Sequence, residues 1–560
     1  MKKATSVFYI SAVIAFAFIA WGFFASTHMS AVMSQIQGFI TNELGWFYLL
    51  SATAFVGVAI FLVFSPYGRI RLGKPDEKPK YNYVTWFAFL FTAGMGIGLV
   101  FWGSAEPLSH YFVPATAEPG TQQAAADAMR YSMFHWGIHP WAIYSIVALT
   151  LAYFQYRKDE PAIFSSTFRP LIGDRVDGWV GNGINVLVVF ATLFGTATSL
   201  GLGAAQITAG LKYLFPSLEA FSGPLFQFVV IVIVTILFSI SALTGIDKGI
   251  RILSLLNVRV SLVLVAFILL LGPTSYIMGV FTQGIGSYAQ NFFGMSFRLD
   301  VYDPNPESTW VQDWTIFYWA WWISWSPFVG SFIARVSRGR TIREFIIGVV
   351  ALPSLFGAFW FSVFGGTTLF FQNQGTDLYA DMQSGGEEIV LFSLLEQFPL
   401  AFFVSLIAVL LIMSFFVTSA DSATVVLGMQ TTGGMLSPPN IVKFTWGIII
   451  SGTAAVLLTS EEGLSALQTA SIIGALPFTF IIILMIVSLF KALDKERPTL
   501  HADRDRIRRE REIRRQDKKR THHEKRHGAR KEEQPLQNEE PPVEPEQQPQ
   551  DEAEAPKKEN

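Results

Sequence analysis

The chain has 560 residues, 51% of them hydrophobic and 15% aromatic, with only 15% charged and no cysteine. Soluble domains carry nearer a quarter charged residues, so this composition excludes a soluble enzyme, a secreted disulfide scaffold and a disordered protein, and the lack of thiols excludes cysteine nucleophiles and thiolate metal sites. The net charge of −2 hides an uneven distribution: residues 491–560 hold 19 Lys/Arg and 18 Asp/Glu, which leaves 22 and 25 for the first 490 positions.

Apolar runs of about 20 residues, enough to cross a bilayer, recur along that body. They predict twelve transmembrane helices, near 7–25, 46–66, 83–104, 131–154, 185–212, 225–245, 252–280, 314–334, 345–371, 397–428, 442–459 and 467–490. The first has a long apolar core and no A-x-A-like site, unlike a cleaved signal peptide. The loop after span two carries Arg69, Arg71, Lys74, Lys78 and Lys80, and later even loops carry Arg157 and Lys158, Lys248 and Arg251, then Arg335, Arg338, Arg340 and Arg343. Segments 26–45, 372–396 and 460–466 contain no Lys or Arg. The positive-inside rule then places even loops and both termini in the cytoplasm, in an all-α multi-pass protein of the cell membrane. Segment 281–313 is too polar to span. Its Gly284, Gly286, Phe292, Phe293 and Phe297 suit an amphipathic interfacial connector. The expected organisation is therefore 1–82 (tail, two peripheral helices and a cytoplasmic loop), 83–280, the connector 281–313, 314–490, and a charged cytoplasmic tail, 491–560.

Inside the predicted spans, small and polar residues cluster. Span three reads Thr92-Ala93-Gly94-Met95-Gly96-Ile97-Gly98, and each mid-helix glycine costs roughly 1 kcal/mol relative to alanine. Close packing through small residues fits Gly201 and Gly203 of span five better than it fits three glycines at spacing two, which face different sides of a helix. Unwinding at 94–98 would free backbone N–H and C=O groups for a ligand. Spans four and eight carry the aromatics. Trp136, Trp141 and Tyr144 sit at offsets 0, 5 and 8, with Trp141 and Tyr144 on one helix face and Trp136 bordering it. Span eight holds five tryptophans between Trp314 and Trp325, deeper than an interfacial belt requires, and rings around a cavity attract a quaternary ammonium at about 2 kcal/mol per desolvated contact. Thr192 and Thr196 in span five share a face, and span ten reads Phe415-Phe416-Val417-Thr418-Ser419-Ala420-Asp421-Ser422. Such hydroxyls commonly bond back to the i−4 carbonyl, and beside freed carbonyls they are also ligands for a small hard cation. Asp421 is an intramembrane carboxylate for which some role is expected. His135 and His139 have metal-ligand spacing but no obvious third ligand, so polar packing is the plainer use. No nucleophile–base pair or metal triad stands out, and no feature calls for a cofactor or a nucleic-acid partner.

Three stretches now identify a resemblance. Gly94-Met-Gly-Ile-Gly-Leu-Val-Phe-Trp-Gly103 with Ala105-Glu-Pro107, Trp319-Ala-Trp-Trp-Ile-Ser-Trp-Ser-Pro-Phe-Val-Gly330 with Arg335 and Ser337-Arg-Gly-Arg340, and Thr418-Ser-Ala-Asp-Ser422 resemble the betaine/carnitine/choline transporter family, over roughly residues 5–490. The resemblance implies two inverted five-helix repeats, spans three to seven and eight to twelve, in a LeuT-like core behind two extra helices, assembled as a homotrimer. It implies an aromatic box of Trp136, Trp141, Tyr144 and Trp322 around a trimethylammonium group, with Trp325 lower in the pathway and Gly94, Gly96 and Gly98 at the other end of the substrate. One sodium is expected at the carbonyls of Thr92 and Met95 with Phe415, Thr418 and Ser419, and a second at Thr192 and Thr196 with Ala93 and Phe328. Choline carriers of this family tend to carry Asp where this chain has Gly98, and exchangers replace the hydroxyls that Thr418 and Ser419 retain. The implied activity is sodium-coupled import of glycine betaine for osmotic protection, with proton-coupled choline uptake or carnitine-type exchange as rivals. In the tail, residues 504–531 hold 14 Lys/Arg against 5 Asp/Glu, whereas 532–560 hold 2 against 10. The basic block is expected to bind anionic lipid at about 1 kcal/mol per basic residue, an attraction that rising internal salt would screen.

Overall fold

Long apolar runs with few internal prolines leave the backbone one way to satisfy its own polar groups in lipid, which is to bond within helices. The computed structural model describes residues 4–94, 96–221, 223–244, 247–302 and 308–496, together with Val543; at 91–94 and 241–251 it describes the backbone but not the side chains. Residues 1–495 form one unit and 496–560 another. Of that second unit only Glu496 and Val543 are described, so the expectations for 504–560 lie outside the described residues. Among the described residues the only extended pairing is a bridge between Arg71 and Thr341.

The long helices are α1 (Ser6–Phe24), α2 (Ser26–Phe64), α3 (Tyr83–Gly94), α4 (Ile97–Phe112), α5 (Gln122–His135), α6 (Ile138–Ala152), α7 (Trp179–Leu214) and α8 (Pro224–Thr244). After them come α9 (Asp247–Leu271), α10 (Thr274–Ser296), α11 (Phe317–Val336), α12 (Ile342–Asn373), α13 (Ala401–Thr431), α14 (Asn440–Leu458) and α15 (Leu464–Asp494). Nine helices among the described residues, one of them α5 and α6 taken together as Gln122–Arg157, are long and apolar enough to cross a membrane. The other three predicted spans also fall on helices. One is divided between α3 and α4, α8 holds an apolar stretch over Pro224–Ile240, and α11 is diluted by its tryptophans and serines.

Three boundaries differ from the sequence expectation. Helix α2 runs 39 residues, about 58 Å at 1.5 Å per residue, because segment 26–45 contains no proline and continues the helix. Two of its polar side chains bond across to the start of α15 and the turn before it: Ser34 donates to Glu462 at 2.8 Å, and Thr469 donates to Gln37 at 2.6 Å. The span expected at 252–280 stops at Leu271, where Pro273 cannot continue the hydrogen-bond ladder. The connector helix therefore begins at Thr274 and carries Gly284, Gly286, Phe292 and Phe293, with Phe297 as its cap. The span expected at 131–154 breaks at Trp136–Gly137.

The centre is built from α4, α6 and α11. Every residue from Phe317 to Gly330, from Ile97 to Tyr111 and from His139 to Ala152 is buried. Helix α11 packs on α6, α7 and α15, and α7 also packs on α13 and α14. By contrast Val13, Leu225, Ile236, Ile252, Val263 and Leu270 are exposed on α1, α8 and α9, as expected for apolar faces turned to lipid. At one end, Arg340 stacks on Tyr83 and Trp86 at 4.1 and 4.6 Å, and the Trp86 indole donates to Ser337 at 2.9 Å. The start of α3 is thus tied to the end of α11, whose own flank Thr341 opens α12 through a capping box with Glu344.

Candidate functional site

Helix α3 ends at Gly94 and α4 starts at Ile97, with Gly96 extended between them (φ −138°, ψ −177°). The first N–H groups of α4 therefore have no intrahelical partner, and among the described residues no side chain caps them. Met95 lies outside the described residues, as do the side chains of Thr92, Ala93 and Gly94. Gly98 faces rings: a Cβ there would stand 2.6 Å from the Trp321 ring and 3.0 Å from that of Trp136. Gly96 meets Trp325 at an ordinary 3.6 Å. The glycine at 98 thus lets two indoles approach the backbone.

The aromatic residues converge from three elements. Trp136 does not share a continuous helix with Trp141 and Tyr144, since α5 stops at His135 and Gly137 (φ −97°, ψ −130°) redirects the chain into α6. Trp136 therefore does not border the Trp141–Tyr144 face as it would in a straight helix, yet its ring lies 4.7 Å from Trp322, edge to face. Tyr144 lies edge-on to Trp141 at 5.5 Å, to Trp322 at 6.2 Å and to Trp325 at 6.1 Å. Hydrogen bonds fix two of the indoles: Trp322 donates to the His135 carbonyl at 2.9 Å, and Trp136 donates to Glu106 at 2.8 Å. The Tyr144 hydroxyl is buried with no hydrogen-bond partner among the described residues.

These rings enclose a cavity of about 30 Å³, lined by Gly96, Gly98, Trp136, Trp141, Tyr144, Trp322 and Trp325, with Trp321, Ser199 and Ser419. It has room for one or two waters, so the walls must part to admit a trimethylammonium group. Sequence reasoning missed Trp321, which stacks on Trp322 at 4.6 Å; its place in the tryptophan run was the available signal.

A second cavity of about 80 Å³ adjoins the first. Phe415, Thr418, Ser419 and Phe328 line it, together with Asn257 and Ser422. Gly96, Trp325 and Ser419 line both cavities and form their common wall. Thr418 donates to the Ser414 carbonyl at 3.0 Å and lies 3.4 Å from the Asn257 amide. Asn257, an amide in the middle of an apolar span, was passed over in the sequence. Thr192 and Thr196 are buried and donate to the carbonyls of Val188 and Thr192, both at 2.7 Å. They line neither cavity. Just beside them, Gly195 backs onto Ser324 and Trp325 so closely that a Cβ would stand 2.8 Å from their backbone. Asp421 is buried on α13.

The two histidines part company at the α5–α6 break. His139 stacks on Trp319 at 4.9 Å and pairs with Ser296 at 3.2 Å. His135 turns the other way, to Glu106.

The arrangement suits the binding of a small solute with a cationic head, with hard oxygen ligands one wall away. A family profile described as BCCT, betaine/carnitine/choline family transporter, matches residues 6–498. The chain is 53% identical over 498 residues to the glycine betaine transporter OpuD of Bacillus subtilis, covering 89% of this chain and 96% of that protein. It is 42% identical over 499 residues to a probable glycine betaine transporter of Desulfitobacterium hafniense (89% and 99%). To an ectoine/hydroxyectoine transporter of Virgibacillus pantothenticus it is 40% identical over 511 residues (90% and 100%). With a buried ring cavity beside a broken helix and relatives matched along nearly their whole length, this multi-pass membrane protein is a transporter rather than an enzyme, and it belongs to the betaine/carnitine/choline transporter family.

Proposed function

We propose that the protein imports glycine betaine by sodium symport. The observation that carries this reading is the wall shared by the two cavities, in which Gly96, Trp325 and Ser419 separate an aromatic pocket from a hydroxyl-lined one. Trp136, Trp141, Tyr144 and Trp322 hold the trimethylammonium end by cation–π attraction. The free N–H groups at the start of α4 hold the carboxylate, as helix N-termini do for anions. One sodium uses Phe415, Thr418 and Ser419 with the carbonyls of Thr92 and Met95; the other uses Thr192 and Thr196, with Ala93 and Phe328 nearby. The zwitterion is favoured over choline because position 98 offers no anion, and a carboxylate there would require Trp321 to move. The same reading takes the chain as twelve spans with two inverted repeats in a LeuT-like core, both termini cytoplasmic, assembled as a homotrimer.

Uptake of labelled betaine into liposomes holding the purified protein tests this directly. Saturable uptake that collapses when external sodium is replaced by potassium is the expected result. Uptake undiminished without sodium would sink the coupling.

The tail supplies osmotic regulation in this reading. Its basic block sits on anionic lipid and loosens as internal salt shortens the Debye length. Deleting 504–560 should leave betaine affinity intact while flattening the rise of uptake with osmolality. A truncated protein that keeps its full activation curve across liposomes of varied internal potassium makes the tail a bystander.

A further inference from the structure

Behind the ring cavity lies a carboxylate to which the transport reading gives no task. Glu106, on α4, is wholly buried. Its Oε2 accepts from the Trp136 indole at 2.8 Å and from the Tyr318 hydroxyl at 2.6 Å. Its Oε1 accepts from His135 Nδ1 at 2.8 Å and from His110 Nε2 at 3.2 Å. The far nitrogen of His135, Nε2, lies 3.0 Å from the Thr315 hydroxyl, which can donate to it when the ring proton sits on Nδ1. A carboxylate has about four acceptor positions, and four donors occupy them. Glu106, His110 and His135 also have the composition of a metal site, but their ligand atoms meet at hydrogen-bonding distance and the carboxylate is already filled. With both imidazoles neutral, the carboxylate is the cluster's one buried charge, spread by hydrogen bonds onto the walls of the cavity.

We propose that Glu106 is a positioning residue that sets the site's preference for a cationic head group, by holding the Trp136 indole and drawing its N–H dipole toward the carboxylate so that the ring face turned to the cavity is richer in electron density. A hydrogen bond to an ionised acceptor is stronger than a neutral one, and hydrogen-bonded groups in a low-dielectric interior polarise one another. The same carboxylate orients Tyr318, which stacks on Trp322 at 5.7 Å and on Trp321 at 6.2 Å. Two walls of the cavity are thus fastened to one anion. Because little solvent screens it, its charge also reaches the cavity directly. The inference rests on the proposed betaine site and deepens it.

The test compares glycine betaine with 3,3-dimethylbutyrate, which keeps the shape and the carboxylate but replaces the quaternary nitrogen by carbon. Calorimetry on the full-length purified protein in sodium should show the unaltered chain preferring betaine by at least about tenfold. Glu106→Gln should weaken betaine binding about tenfold while changing the isostere's affinity less than about twofold, so that the preference collapses. Glu106→Asp, which keeps the charge, should retain most of it. Tyr318→Phe removes a donor but no charge, and should also retain it. Equal loss of both ligands in Glu106→Gln, or unchanged betaine binding, overturns the electrostatic role. If Glu106→Gln does not fold, the role falls on either of two other results: equal affinities for the two ligands in the unaltered chain, or loss of the preference in Tyr318→Phe. Absence of any betaine binding to the unaltered chain overturns the transport reading itself, and this inference with it.

Discussion

Trp322→Leu should weaken betaine binding by about thirtyfold or more. A desolvated cation–π contact is worth about 2 kcal/mol, and 1.4 kcal/mol is a factor of ten in affinity. The structure adds a second loss. Trp322 lies 4.7 Å from Trp136, 6.2 Å from Tyr144 and 6.4 Å from Trp325, so leucine leaves three other rings without their shared neighbour. The His135 carbonyl also loses the indole N–H that caps it at 2.9 Å, and a buried acceptor left without a donor costs about 1–3 kcal/mol. Trp322→Phe separates these contributions, because phenylalanine keeps a ring face but no N–H. It should fall between the parent and leucine. Calorimetry is the suitable measurement, since the substitution also removes a fluorophore. An unchanged affinity in Trp322→Leu would falsify the aromatic box.

The parts of this site that were legible in the sequence are those encoded by local composition. Alternating glycines at 94, 96 and 98 announce a helix that breaks, and the chain does leave the helix between Gly94 and Ile97. The density of tryptophan in 314–325 announces rings buried beyond an interfacial belt, and the whole run from Phe317 to Gly330 is buried. What periodicity could not reach was set by tertiary context. A straight helix through 131–154 places Trp136 at the border of the Trp141–Tyr144 face. The break at Gly137 coincides with Pro140, which has no N–H for the Trp136 carbonyl, and it is met by Tyr288, whose hydroxyl accepts from the Ile138 N–H at 3.1 Å from 150 positions away. Glu106 was visible in the Ala105-Glu-Pro107 stretch, with His110 one turn on along the same helix, but its other partners come from α5, the α5–α6 break and α11, and a one-dimensional reading cannot join them. The boundary at 272–273 was lost for the opposite reason: the apolar residues after Pro273 continue the hydropathy of the preceding span.

Sodium activation should respond in a graded way to the hydroxyls. A zwitterion gains nothing from membrane potential, so concentrating it requires a charged co-substrate. Two sodium ions crossing about 100 mV supply roughly 4–5 kcal/mol, enough for about a thousandfold accumulation at 1.4 kcal/mol per decade. Thr418, Thr192 and Thr196 each donate their proton to a carbonyl one helical turn back. That bond does not compete with ion binding, because a hydroxyl that donates keeps its lone pairs for a cation. Thr418 lines only the hydroxyl cavity, so Thr418→Ala should raise the sodium concentration for half-maximal uptake about tenfold with little change in betaine affinity at saturating sodium. Ser419 stands in the wall between the cavities, so Ser419→Ala should shift both quantities. Thr192 and Thr196 line neither cavity but flank Gly195, which presses on the Ser324–Trp325 backbone. Replacing both by valine keeps the shape of each side chain and should weaken sodium activation while leaving the ring cavity undisturbed. Initial rates across a sodium series, at several betaine concentrations, resolve the three cases. Equal effects of Thr418→Ala and Ser419→Ala on betaine affinity at saturating sodium would mean that the shared wall does not separate ion from substrate, and the coupling would have to run through another part of the fold.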